Sequence, residues 1–115
     1  MTLTAGDILA AKDFKTKEIE VPAWGGSVFI RTFSGKDADI IEEASLEIKR
    51  GGSVKGLRSL FLILSVCDKE GNLLFDSSQA EAIEEKNGDA LTLLMNEIMS
   101  LNFITEEEID KLEKK

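Results

Sequence analysis

The segment Asp68-Lys69-Glu70-Gly71-Asn72 gathers acids, an amide and a glycine, the raw material of a calcium loop. A calcium loop of the helix–loop–helix kind needs acids at alternating positions, glycine at the sixth and a closing glutamate. Here Gly71 arrives two residues early and no glutamate closes the loop at the right distance. The expectation is a tight turn with Gly71 or Asn72 at positive φ. Ser34-Gly35-Lys36-Asp37 has the ending of a phosphate loop, but the position that should hold its first glycine is Ile30. Ser34 reads better as a helix cap. Carboxylates stand side by side in Glu42-Glu43, Glu84-Glu85 and Glu106-Glu107-Glu108. A catalytic pair needs partial burial to split its two pKa values, whereas neighbours on an exposed helix face stay solvated and ionised. These acids read as solvating charge.

Other chemistry is excluded by composition. There is no His and no Tyr, which removes the commonest general base and the commonest metal ligand. The single Cys67 follows an apolar run, reads as a buried inert thiol and permits no internal disulfide. The expectation is a protein that is not an enzyme, with no cofactor and no metal. The charge balance, 14 Lys+Arg against 22 Asp+Glu for a net of −8, opposes binding to nucleic acid and to anionic membranes, and suits a basic partner. The longest apolar run, 60–64, is far too short to span a bilayer. Residues 1–11 lack the basic start and apolar stretch of a secretory leader, so a reducing cytoplasm is expected.

The elements that must carry these residues are well punctuated. The chain has 115 residues, suited to one domain over 1–115, with a hydrophobic fraction of 43%. Four Ser/Thr-x-x-Asp/Glu patterns open helices: Thr4 with Asp7, Ser34 with Asp37, Ser78 with Glu81, Thr105 with Glu108. The first predicts a short helix over 4–12 whose apolar contacts are Ile8 and Leu9. Strict alternation at 17–21 and 27–33 predicts a β-hairpin over about 16–33, turning at Ala23-Trp24-Gly25-Gly26. Its second strand puts Val28, Ile30 and Thr32 on one face, and Phe29, Arg31 and Phe33 on the other.

After Ser34 the period becomes helical, with Ile41, Ala44 and Ile48 inward and Glu42, Glu43 and Glu47 in water. Gly51-Gly52-Ser53 ends that helix. Residues 54–66 read as the most buried helix, with a buried strand over 60–66 as the open alternative. Helices over 79–85 and 89–101 follow, then a charged helix over about 106–114. The fold class is α+β, a mostly helical single domain with a small N-terminal β-hairpin.

Two features invite a partner. Trp24 sits in a turn, where residues are usually polar; it either folds back over the core, the favoured reading, or protrudes as an anchor. The helix over 89–101 carries Leu91, Leu94, Met95, Ile98 and Met99 in one stripe, with Leu93 and Leu101 partly off it. It is either a buried central helix or one whose surplus apolar surface, on Leu94, Met95, Ile98 and Met99, docks a partner helix.

The order of segments carries a resemblance. Gly6-Asp7-Ile8-Leu9-Ala10-Ala11-Lys12 is followed by Glu20-Val21-Pro22-Ala23-Trp24-Gly25-Gly26-Ser27-Val28 and Arg31-Thr32-Phe33-Ser34-Gly35-Lys36-Asp37. Then come Val66-Cys67-Asp68-Lys69-Glu70-Gly71-Asn72-Leu73-Leu74-Phe75 and Leu101-Asn102-Phe103-Ile104-Thr105-Glu106-Glu107-Glu108. Over nearly its whole length this chain resembles the tail assembly chaperones of long-tailed bacteriophages and prophages. The Val-Pro-x-Trp-Gly-Gly turn and the Asp-x-x-Gly-Asn-x-Leu-Phe segment are the most specific parts.

The resemblance implies a partner, the tape measure protein, which such proteins coat and keep soluble while the tail tube polymerises. It also implies recruitment of tail tube subunits, a host bacterial cytoplasm, absence from the mature virion, and a longer form made by programmed frameshift near the end of the reading frame. The closing Glu113-Lys114-Lys115 is compatible with a slippery codon run. Partner contact is expected on Leu94, Met95, Ile98 and Met99, with Trp24 as a further candidate. The alternative is another morphogenesis component, a head–tail joining or tail tube part, that self-assembles.

Overall fold

The structure is a computed structural model that describes residues 1–102. The helix expected over 106–114, its Thr105–Glu108 box, and Phe103 and Ile104 lie outside the described residues.

Among the described residues, five helices and a three-stranded antiparallel sheet follow in the order α1 (Ala5–Ala10), β1 (Thr16–Val21), β2 (Gly26–Arg31), α2 (Gly35–Lys49), α3 (Leu57–Ser65), β3 (Val66–Cys67), α4 (Ala80–Glu84) and α5 (Gly88–Leu101). The sheet order is β1-β2-β3. The α+β class and the early hairpin are therefore as the alternation and caps indicate. Val21 pairs with Gly26, so the hairpin turns through residues 22–25, one place earlier than expected. Pro22 opens a single 3-10 turn there, and Gly25, at φ 69°, closes it by donating its N–H to the Pro22 carbonyl at 3.1 Å. Only glycine takes that φ without strain.

Caps set the helix starts. Thr4 and Asp7 form the full reciprocal box. Ser34 Oγ accepts from Asp37 N–H, but the Asp37 carboxylate turns away to Arg31. The Ser78–Glu81 box does not form. Asp76 caps instead, paired with Gln79, over a 3-10 turn at Ser77–Gln79 that leads into α4. Asp76 wins because its carboxylate accepts from the Ser78 N–H directly, starting the turn two residues sooner. α3 begins at Leu57, so Val54 is an exposed loop residue rather than part of the helix. Of the two readings of 60–66, the helix holds through Ser65, and the strand begins at Val66.

The core lies between one face of the sheet and the pair α3–α5. Ile19, Val21, Ile30 and Val66 from the strands meet Phe61, Leu62, Leu94, Ile98 and Met99. Burying each such side chain contributes about 1.5–3 kcal/mol. Ser65 is fully buried, yet it is satisfied. Its hydroxyl donates to the Arg31 carbonyl at 2.6 Å and accepts from the Arg31 N–H at 3.2 Å, welding the end of α3 to β2.

Arg31 is a second joint. Its guanidinium lies 4.3 Å from the Phe14 ring centroid, donates to the Gly71 carbonyl at 2.9 Å, and pairs with Asp37 at 3.7 Å. Asn102 ties the end of α5 to the start of α2: its Oδ1 accepts from Phe33 N–H at 2.8 Å. By contrast α1 buries nothing, and Ile8 and Leu9 stand exposed rather than in contact with the body. Among the described residues, no helix is long and apolar enough to cross a membrane.

Candidate partner-binding groove

The residues expected to bind a partner do not share a surface. Leu94, Ile98 and Met99 are buried and Met95 is half-buried against the core, so the surface reading of this stripe is corrected to the buried central helix. The reason is geometric. The apolar sheet face formed by Ile19, Val21 and Ile30 has to be covered, and α5 packs against β1, β2 and α3 to do it. The outer side of α5 carries Asn96 and Ser100, with Leu93 at 37% exposure. Trp24 is different. It folds back toward the body yet stays 39% exposed.

Trp24 forms one wall of a groove of about 490 Å³, whose other walls are Leu62 of α3, Phe75, and Ala82 and Ile83 of α4. Gln79 and Lys86 stand among these apolar groups. Each wall has a local cause. The Pro22–Gly25 turn aims Trp24. The turn after β3 returns the chain along the sheet, with a bridge between Cys67 and Leu73 and with Leu74 N–H donating to the Val66 carbonyl at 3.0 Å, and this delivers Phe75. The Asp76 cap then aims α4 so that Ile83 is buried at the floor.

The Asp68–Asn72 turn is held by its own carboxylate. Asp68 Oδ1 accepts from the N–H groups of Glu70 and Asn72, both at 2.9 Å, and Gly71 adopts φ 89°. These donors, that of Asn72 foremost, hold the Asp68 carboxyl below the ordinary aspartate value. An oxygen engaged twice by its own loop is a turn-former, which is the tight-turn reading. Burial pushes the Cys67 thiol up, with Arg31 opposing and Asp68 adding to the rise, so the thiol stays neutral.

A second cleft, of about 350 Å³, adjoins the groove through the shared Lys86 and is edged by Lys55, Arg58 and Glu84. It offers charge without an assembled nucleophile or base. Both cavities are apolar surface edged by charge.

A scan against protein-family models finds no match, and a search of the curated proteins finds none. Among solved structures, the chain is similar to the bacteriophage HK97 tail assembly chaperone, with a TM-score of 0.61 and 23% identity over 84% of this chain and 94% of that one. The chain has the fold of a tail assembly chaperone. Within that fold the groove is built from residues 24, 62, 75 and 83, which sequence reasoning missed except for Trp24. Phe75, just after the turn, was the available signal for a second wall.

Proposed function

We propose that this protein is a non-catalytic phage tail assembly chaperone that binds the tape measure protein and keeps it soluble while the tail tube assembles in the host cytoplasm. The observation that carries this reading is the likeness of fold to a solved tail assembly chaperone over 84% of the chain. The groove beside Trp24 supports it, because an aromatic wall over an aliphatic floor suits the apolar side of a client helix. The chaperone is left behind when the virion matures, and a frameshifted longer form brings in tube subunits. The test is co-expression with the tape measure protein of the same phage or prophage, followed by solubility and pull-down measurements. A client that becomes soluble and co-purifies bears the reading out, and Trp24→Ala then weakens capture by about tenfold or more. A client that stays insoluble with both the short and the longer form, while the purified protein assembles into rings, moves the assignment to a joining or tube component.

A further inference from the structure

We propose that the Trp24 groove and the cationic cleft beside it form one docking track, whose occupant is an amphipathic helix of the client bearing acidic residues beside its apolar anchors. The proposal rests on the chaperone reading and adds to it the sign of charge on the client segment. Lys86 lines both cavities, so the two lie side by side at that residue. The cleft brings together Lys55, Arg58 and Lys86 against one carboxylate, Glu84. The chain as a whole carries 22 acids and 14 bases, whereas the charged side chains lining this cleft are three bases and one acid. Glu84 does not neutralise it by ion pairing: its Oε1 accepts from the buried Ser59 hydroxyl at 3.0 Å. Arg58 Nε donates to the uncharged Thr92 hydroxyl at 3.0 Å, and among the described residues neither Lys55 nor Lys86 is in an ion pair. Three cations against one carboxylate leave a net positive charge beside the apolar groove, which an anionic partner would offset. They favour acidic over basic segments by the attraction to the former and the repulsion of the latter together. The apolar anchors enter beside Trp24, and the acids meet Lys86, Arg58 and Lys55.

The test uses two synthetic helical peptides of about 15 residues with one apolar pattern, flanked by Glu in one and by Lys in the other, and with no tryptophan. Trp24 is the single tryptophan, so its emission reports occupation of the groove. The Glu peptide is expected to shift that emission to the blue, to bind about tenfold tighter than the Lys peptide, and to lose that advantage as salt rises. The double variant Arg58→Glu, Lys86→Glu changes exposed side chains and is expected to reverse the order. Equal affinities, a preference for the Lys peptide, or binding that leaves Trp24 emission unchanged overturns the proposal. So does equally tight binding of a short oligothymidylate, which would make the cleft a general anion site. Co-expression separates the two readings. If the double variant solubilises the tape measure protein as well as the wild type does, this proposal fails and the chaperone reading stands. If the wild type solubilises nothing, the chaperone reading fails, and the peptide order alone decides the chemistry of the track.

Discussion

Single side chains decide this fold where they replace a missing backbone partner. Ser65 does so inside the core and Asn102 at the end of α5, while Asp68 does so at the surface. Asp68 yields a pH prediction. Its folded pKa is lowered, so its ionised form contributes stability above the unfolded value, and that contribution is lost as pH falls through the folded value. Asp68→Ala is therefore expected to lower the urea midpoint at about pH 7, and the gap to the wild type to narrow as pH falls below the ordinary aspartate range. Asp7 and Asp76 are lowered for the same reason and remain in both proteins, so both still lose stability in acid. A gap that persists or widens in acid would show that the turn does not depend on the carboxylate charge.

Among elements, α5 is the keystone. Leu94 is fully buried and Leu93, its neighbour, is 37% exposed. Leu94→Ala is expected to cost about 2–5 kcal/mol and Leu93→Ala about 0.5 kcal/mol, read from urea denaturation. Comparable losses would mean that α5 does not sit with this face inward. The same contrast marks what could be read from sequence. The hairpin was legible because alternation is local: Ile19, Val21 and Ile30 announce their face within a few residues. The caps at Thr4 and Ser34 were legible for the same reason, whereas Asp76 was overlooked beside Ser78. The facing of α5 was not legible, because a helix apolar on most sides carries no mark of which side meets a sheet some 70 residues earlier in the chain. The groove was less legible still. Trp24 announced itself by being out of place in a turn, but Leu62, Phe75 and Ile83 become its neighbours only through tertiary packing.

For the molecule as a whole, the core and the projecting parts are separable. α1 buries no residue, and removal of residues 1–11 is expected to change stability by less than about 0.5 kcal/mol, again by urea midpoint. A larger loss would place that arm against the body. The body itself is joined across its full length: Lys17 pairs with Glu97 at 3.0 Å, and Phe33 N–H meets Asn102. The ion pair is exposed and contributes about 1 kcal/mol at most, so the joining is done by Leu94 and Ile98 against the strands.

That closure from one end of the sequence to the other has a consequence for synthesis. A ribosome releases the hairpin first and α5 after nearly all the described chain has been made. Until α5 emerges, Ile19, Val21 and Ile30 lack the part of their cover that Leu94 and Ile98 supply, and the nascent chain shows a greasy sheet face to its surroundings. A protein proposed to shelter another chain's apolar segments thus spends most of its own translation with such segments bare, and it comes to rest only when its last described helix arrives.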